Sequence, residues 1–282
     1  MIFEHEIPEG SKLYFGNTAR TKRTLESKAS DVLFSNGYEE IVTPLFSYHQ
    51  HQSISDEREL VRVNDASNHN MSLRADSTID VVRILDKRLG RNTSHKKWFY
   101  IQPVFRFPSC EQYQIGAEHI GEKNLSGVIN DAFRVFDSFD ITPTLQVSNI
   151  RIPQKIAALL DIDLNEFRTI NVECFLSKNI EWLSKLVYLH TADDIDSVME
   201  IAPDEIKEEL QKLKELCAEI EYKNVVIAPL YYAKMLYYDE LFFRVIENND
   251  VYARGGRYKN DELTSVGFAI YTDALIENLS KD

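Results

Sequence analysis

Apolar side chains recur at helical spacing in the first part of the chain. Residues 17–36 place their apolar positions on one side of a helix, and Gly37 marks its end because glycine readily takes the left-handed conformation found there. A second helical pattern begins at Ser77 or Thr78, either of which can cap a helix, and it ends at Gly90. The pattern therefore predicts two amphipathic helices before residue 100.

Segments rich in β-branched and aromatic residues alternate with the helical ones. They predict strands at residues 38–46, 98–107, 144–150, 224–232, 241–247, 251–256 and 264–271. Residues 128–139 and the segment from Thr272 onward predict further helices. Because strands dominate both ends of the chain, we expect an α+β fold in which an antiparallel sheet is backed by helices.

Residues 151–222 differ from the rest because helical patterns dominate them. The last of these patterns follows Pro203 and places Ile206, Leu210, Leu213 and Leu216 on one side of a charged helix. We therefore expect a single domain over residues 1–282, with 151–222 as a mainly helical insertion that serves packing.

Composition and charge narrow the classes of partner. The chain has 282 residues, of which 44% are apolar, and its charges sum to −13. This excess of acid argues against nucleic acid as the main partner, since Lys and Arg supply most of the contacts to phosphates. The three Cys and seven His show no metal-ligand spacing, and no apolar run is long enough for a membrane span. We expect a cytoplasmic protein with free thiols, no metal and no membrane association.

Three segments resemble, in order, the three signature motifs of class II aminoacyl-tRNA synthetases, in the form found in histidyl-tRNA synthetases. They are GYEEIVTPLF (37–46), FYIQPVFRF with QIGAEHIGE (99–107 and 114–122), and SVGFAIYTDALIENL (265–279). The intervening LRADST (73–78), YYDELFFRV (237–245) and ARGGRY (253–258) are similar to further segments of the histidyl enzyme. The resemblance covers essentially the whole chain and implies a class II synthetase-like antiparallel sheet flanked by helices, with a dimer interface at the first motif.

Departures from these motifs imply that amino-acid activation has been lost. The arginine that holds the ATP phosphates in the family falls on Ala274 beside Asp273, and the subfamily's catalytic arginine falls on Ala233. A methyl group beside a carboxylate repels a triphosphate instead of attracting it. Gln114 follows Arg106 by eight positions (114 − 106), which shortens the loop that contacts ATP and tRNA in the family. The chain also ends one helix after the third motif, where the family continues into an anticodon-binding domain. We expect no catalytic residue, no cofactor and no tRNA binding.

The resemblance also implies that the amino-acid end of the pocket survives. In the family, the residues matched by Asp76 and Thr78 hold the α-amino group of the substrate. Gln114 and Glu118 match residues that complete this grip, and Arg106 is left for the carboxylate. Several of these residues could instead have a purely structural role. Arg106 could form a buried ion pair with Glu118 and not contact a ligand. Asp76 and Thr78 also suit a helix N-cap.

Two further pairs complete the candidate site. Tyr237 and Tyr238 match the family's Tyr-Tyr strand and could flank an imidazole, although a place in the core or an interface is as consistent with the sequence. Arg254 and Arg257 enclose two glycines and could bind an anion on a glycine-permitted turn. The commoner structure for such a segment is a plain hairpin turn with exposed arginines.

A synthetase-like domain with altered ATP motifs and no anticodon domain resembles the regulatory subunits of ATP phosphoribosyltransferase. This resemblance implies a non-catalytic subunit that assembles with the short-form catalytic subunit into a hetero-octamer, is required for its activity, and contributes to feedback inhibition by histidine in histidine biosynthesis. Two alternatives are a stand-alone amino-acid-activating ligase of class II synthetase type and a truncated tRNA-binding module. The changed ATP motifs disfavour the ligase, and the net charge disfavours the tRNA binder.

Overall fold

The computed structural model describes residues 6–52, 54, 56–90, 92–232, 238–260 and 263–279. The strands are β1 (Glu39–Glu40), β2 (Phe46–Ser47), β3 (Arg62–Asn64), β4 (Asn70–Leu73), β5 (Lys97–Arg106), β6 (Cys110–Ile120), β7 (Thr144–Asn149), β8 (Val225–Ile227), β9 (Tyr238–Glu247), β10 (Asp250–Asn260) and β11 (Leu263–Tyr271). The helices are α1 (Gly16–Ser35), α2 (Thr78–Ile84), α3 (Leu125–Ser138), α4 (Arg151–Leu160), α5 (Leu164–Arg168), α6 (Val172–Leu176), α7 (Glu181–Val187), α8 (Ile195–Met199), α9 (Asp204–Glu219) and α10 (Thr272–Leu279).

A mixed eight-stranded sheet is the centre of the fold. Its strand order is β1-β5-β6-β11-β10-β9-β7-β8, and a small second sheet has the order β2-β4-β3. The six central strands pair antiparallel, whereas β1 joins β5 and β8 joins β7 in parallel at the two edges. The predicted α+β class is confirmed, and the antiparallel arrangement holds for the interior of the large sheet.

Helices cover one face of this sheet and form the main hydrophobic core with it. Leu33 of α1, Phe136 of α3 and Leu275 of α10 are buried in the same cluster as Phe243 and Val245 of β9. Because side chains alternate along a strand, Phe242 and Arg244 lie on the opposite face. That opposite face carries the candidate site.

Two predicted strands are shorter than the hydrophobic pattern suggested. Residues 38–46 contain only β1 before the chain leaves the large sheet, and 224–232 contains only β8. Pro44 lacks a backbone donor for a sheet, and the neighbouring Thr43 carbonyl accepts from the buried Arg74 guanidinium at 2.9 Å. The backbone carbonyl of this segment thus accepts its hydrogen bond from a side chain distant in sequence and not from a neighbouring strand.

The predicted turn at Gly255 and Gly256 is wrong, because both glycines lie in the middle of β10 and pair with β9 and β11. The turn between β9 and β10 lies at residues 248–249 instead. A Cβ at Gly255 would lie 2.5 Å from the ring of Phe243, and one at Gly256 would lie 2.8 Å from Phe242. These glycines serve close packing against aromatic rings instead of turn geometry.

Residues 151–219 are helical, as the pattern indicated, and comprise α4 to α9. Their buried apolar residues, among them Ile156, Phe167, Leu186 and Leu210, belong to the same cluster as the inner face of the sheet. Among the described residues, none of the helices is both long and apolar enough to span a bilayer.

Candidate functional site

A cavity of about 240 Å³ lies on the face of the sheet opposite the main core. It is lined by Ala75, Asp76, Thr78, Arg106, Gln112, Gln114, Tyr238, Arg254, Tyr258, Gly267, Phe268, Ala269 and Tyr271. The structure therefore brings five residues predicted for an amino-acid site into one place, namely Asp76, Thr78, Arg106, Gln114 and Tyr238. The volume suits a ligand of the size of an amino acid.

Asp76 is presented by a loop that buried side chains hold firmly. Gln50 Oε1 accepts hydrogen bonds from the backbone N–H groups of Ala75 at 2.8 Å and Asp76 at 2.7 Å. Arg74, which is 1% exposed, donates from Nε and Nη2 to the Pro103 carbonyl on β5. Asp76 Oδ1 also accepts from the N–H of Ile79 at 3.0 Å, so Asp76 caps the first turn of α2 as one alternative predicted. Ser77 makes no side-chain cap hydrogen bond, so the predicted cap by Ser77 is wrong. The Asp76 side chain therefore both caps α2 and lines the cavity.

Glu118 lies beneath the cavity and is fully buried. Its Oε1 accepts from the Tyr100 hydroxyl at 3.3 Å, and its Oε2 accepts from the Tyr258 hydroxyl at 2.6 Å. Burial raises the pKa of Glu118 to about 8, although these hydrogen bonds act in the opposite direction. The carboxyl is therefore mainly protonated at neutral pH. Glu118 does not line the cavity, but it accepts a hydrogen bond from Tyr258, which does.

Thr78 connects the first turn of α2 to this buried network. Its hydroxyl lies 3.3 Å from the Tyr100 hydroxyl, which in turn donates to Glu118. Gly267 on β11 leaves the space that the network needs, since a Cβ there would lie 1.8 Å from Glu118 Oε2. The network orders the floor of the cavity between α2, β5, β6, β10 and β11.

Arg106 and Gln114 come from the two strands of the β5–β6 hairpin. Arg106 Nε lies 3.8 Å from Glu59, while Glu118 lies farther along β6 with its own tyrosine partners, so the alternative of an Arg106–Glu118 ion pair is wrong. The buried Nη1 of Arg106 has no hydrogen-bond partner within the part of the chain that the structure describes. Gln114 donates to the Gln112 side chain at 3.2 Å. One cation and two amides thus face the cavity from this side.

The remaining candidates separate into different environments. Tyr238 stacks on Phe242 with ring centroids 5.7 Å apart and lines the cavity, whereas Tyr237 lies outside the described residues. Arg254 lines the cavity as well. Arg257 instead donates from Nε to Asp239 at 3.0 Å and pairs with Glu240, so its charge is already neutralised outside the cavity lining.

Several lining residues were missed from the sequence. Gln112 precedes Gln114 by two positions on β6, and period-two alternation places both on the same face. The same alternation places Tyr258 on the face of β10 that carries Arg254 and Gly256. Tyr271, at the end of β11, carried no separate signal because an aromatic residue there fits a core position equally well.

The start of α10, where the family motif carries a phosphate-binding arginine, has a carboxylate here. Asp273 is 7% exposed, and its Oδ1 accepts from the Tyr14 hydroxyl while its Oδ2 accepts from the Tyr113 N–H at 3.0 Å. Ala274 packs against the main core. Ala233, the second position at which the family motif has an arginine, lies outside the described residues. Asp273 thus connects the N-terminal segment to β6 at the place where a cation would meet ATP.

No cluster of three or more His, Cys, Asp or Glu residues with metal-ligand geometry occurs within the described ranges. The described residues of the cavity lining offer one carboxylate, two guanidinium groups, amides and phenols. Such a set can hold a small zwitterionic or anionic molecule.

Comparison with known proteins agrees with these features. The family model described as "Histidyl-tRNA synthetase" matches residues 15–275. The chain is 47% identical over 279 residues to the ATP phosphoribosyltransferase regulatory subunit of Wolinella succinogenes, covering 99% of this chain and 97% of the relative. It is 43% identical to the regulatory subunit of Helicobacter hepaticus, with 99% of both chains covered.

Solved structures share the fold at lower identity. An ATP phosphoribosyltransferase regulatory subunit/histidyl-tRNA synthetase from Bacillus halodurans superposes with a TM-score of 0.85 at 19% identity, covering 99% of this chain and 84% of that one. Histidyl-tRNA synthetase from Nostoc sp. superposes with a TM-score of 0.80 at 16% identity, covering 99% of this chain and 76% of that one. The class II synthetase-like fold is thereby confirmed.

Proposed function

The chain belongs to the family of ATP phosphoribosyltransferase regulatory subunits, and we propose that it activates a short-form catalytic subunit of this enzyme and makes it sensitive to histidine. In this proposal the chain supplies no catalytic residue to phosphoribosyl transfer. It acts in the first step of histidine biosynthesis within a cytoplasmic hetero-octamer. Histidine is the effector that occupies the cavity.

One observation supports this proposal: residues matched to the family's amino-acid site line one cavity, whereas the start of α10 carries Asp273 in place of a cation. Asp76 and Arg106 face one cavity with opposite charges, as an amino acid's ammonium and carboxylate require. At the start of α10, the buried Asp273 replaces attraction for phosphates with repulsion. A site that holds an amino acid without activating it suits an effector.

The first prediction concerns activity in the mixed complex. We expect the chain to raise phosphoribosyl transfer by a short-form catalytic subunit and to confer inhibition by histidine. Asp76→Asn should weaken that inhibition about tenfold, because it removes a charge that meets the ammonium group. Asparagine caps helices as well as aspartate, so assembly and activation should persist. The measurement is the rate of the mixed complex against histidine concentration, with the catalytic subunit alone as reference.

No gain over the catalytic subunit alone would refute the regulatory function. Activation with unchanged histidine inhibition in Asp76→Asn would show that only the location of the histidine site is wrong.

The second prediction separates this function from a stand-alone amino-acid-activating ligase. We expect no histidine-dependent exchange between ATP and pyrophosphate, because the start of α10 presents Asp273 and Ala274 instead of a cation. Ala274→Arg should not restore exchange, since the Asp273 carboxylate and the short turn after Arg106 remain. Exchange above the background of a heat-inactivated sample would favour the ligase.

We also expect weak retention of tRNA at physiological salt, because the net charge of the chain is −13.

The third prediction concerns self-association through the first motif. Val42, Phe46 and Tyr48 are 78%, 53% and 52% exposed in the segment around β1 and β2, which makes an apolar surface suited to a symmetric dimer. We expect a dimeric mass in light scattering at micromolar concentration. Val42→Asp with Phe46→Asp should yield a monomer. Tyr188→Asp is the matched control, because Tyr188 is 66% exposed but lies just after α7. A monomeric wild type would contradict the proposed dimer.

A further inference from the structure

Two arginines lie side by side across the site face of the sheet. Gln146 of β7 pairs with Arg244 of β9, and Arg244 pairs with Arg254 of β10. Directly opposed residues on antiparallel strands place their side chains on the same face, so these three side chains form a row. Arg254 lines the cavity, and the row therefore begins at its wall.

Within the described part of the chain, the two guanidinium groups have no neutralising carboxylate. Among the described residues, no Asp or Glu forms an ion pair with Arg244 or Arg254. Arg244 instead donates from Nη2 to Gln146 Oε1 at 2.7 Å and stacks 3.8 Å from the ring centre of Tyr231. Burial and the charge of Arg254 both lower the pKa of Arg244. Like charges in register are destabilising in an isolated sheet, and the neutral rings of Tyr231 and Tyr271 beside the two guanidinium groups offset this repulsion without adding a negative charge.

Each of the three side chains has one buried donor atom without a hydrogen-bond partner among the described residues. Nε of Arg244, Nε of Arg254 and Nε2 of Gln146 are buried and have no hydrogen-bond partner within the described ranges. Buried polar atoms in folded proteins are nearly always paired, so three such atoms on neighbouring positions form a notable exception. Arginine and the amide nitrogen of glutamine can only donate. An anion rich in acceptor oxygens suits such a set of donors.

The charge of the cavity favours a doubly charged group over a single carboxylate. Arg106 and Arg254 face it, with Arg244 beside Arg254. Among the described residues of the lining, Asp76 is the one carboxylate, and Glu118 below it is mainly protonated at neutral pH. The proposed function already assigns the carboxylate of an amino acid to Arg106. A phosphoryl group offers three acceptor oxygens and up to two negative charges, which matches the remaining pair of guanidinium groups.

We propose that Arg254, supported by Arg244 and Gln146, forms an oxyanion subsite on the β9–β10 side of the cavity that binds the phosphoryl group of a small phosphorylated molecule. Tyr271 closes this subsite, since its ring centre lies 5.9 Å from the Arg254 guanidinium carbon. The subsite depends on neither the catalytic subunit nor histidine, so it can fail while the proposed function holds.

The subsite is tested by calorimetric titration of the purified full-length chain with inorganic pyrophosphate and inorganic phosphate. We expect the wild type to bind pyrophosphate with a dissociation constant below about 1 mM. Arg254→Gln should weaken binding at least about tenfold, because it removes a charge-assisted contact. Arg244→Gln should weaken binding in the same direction. Arg151→Gln is the matched control, since Arg151 is exposed on the first turn of α4, and its affinity should equal that of the wild type.

Melting temperatures of the same proteins show whether weaker binding arises from a folding defect. Without an anion, Arg254→Gln should melt at or above the wild-type temperature, because the substitution removes the repulsion between two half-buried cations. Pyrophosphate at about 1 mM should raise the melting temperature of the wild type more than that of Arg254→Gln. Equal affinity in the two proteins, or no binding by the wild type up to about 10 mM, would overturn the proposal. Tighter binding of glutarate than of pyrophosphate would overturn the assignment to a phosphoryl group.

Discussion

Glu118→Gln should remove a large pH dependence from the stability of the fold. The folded-state pKa of Glu118 is about 8, and its ordinary value is 4.5. Well below pH 4.5 the carboxyl is protonated in both the folded and the unfolded state, so it adds no pH dependence to the free energy of unfolding. Between these two values the unfolded state is ionised while the folded state holds a proton, so stability falls as pH rises. The total loss by pH 8 is about 5 kcal/mol, at about 1.4 kcal/mol for each pH unit.

Glutamine does not titrate, so the difference between the two proteins measures this effect. We expect the free energy of unfolding of Glu118→Gln, relative to the wild type, to increase steadily from pH 5 to pH 8 in chemical denaturation. Glu122→Gln is the control. Backbone hydrogen bonds from Asn124 and Lys123 lower the pKa of Glu122, so its stabilising effect is lost only in acid and its difference should be flat above pH 5. A flat difference for Glu118→Gln would show that Glu118 is ionised in the folded protein.

The same substitution tests the connection between the buried network and the cavity. Tyr258 lines the cavity and donates to Glu118 Oε2 at 2.6 Å, so a change at Glu118 alters the orientation of that hydroxyl. We therefore expect weaker histidine inhibition of the mixed complex, with assembly intact.

Gly267→Ala should destabilise the protein by about 3 kcal/mol, because overpacking a rigid interior forces side chains and backbone to shift. The added Cβ would lie 1.8 Å from Glu118 Oε2 and 2.8 Å from the Ala117 carbonyl oxygen. Neither atom can withdraw easily, since the carboxyl is held by two tyrosines and the carbonyl belongs to the backbone of β6. The measurement is the free energy of unfolding from chemical denaturation at constant pH.

Gly127→Ala is the matched control within the same chain. Gly127 lies in α3, is exposed, and has nothing within 4 Å of the position of an added Cβ. Alanine should stabilise it by about 0.5–1 kcal/mol, because glycine is the poorer helix former. A Gly267→Ala protein within about 1 kcal/mol of the wild type would contradict the close packing around Glu118.

The sequence predicted the elements whose signals are local. The helical periodicity of residues 17–36 and the aromatic segment at 98–107 became α1 and β5, with each boundary shifted by one residue. Motif resemblance selected Asp76, Thr78, Arg106, Gln114 and Tyr238, and these residues line one cavity. Periodicity succeeds in such cases because it reports which face of an element is apolar, a property that each element carries by itself.

Tertiary structure decided the features that depend on contacts distant in sequence. Gly255 and Gly256 suggested a turn, and only packing against Phe242 and Phe243 of β9 places them in mid-strand. Arg244 carried no signal until strand register placed it beside Arg254. The protonation of Glu118 likewise depends on burial, which several elements create together. Register, close packing and burial arise between elements and not within them, so the sequence alone does not express them.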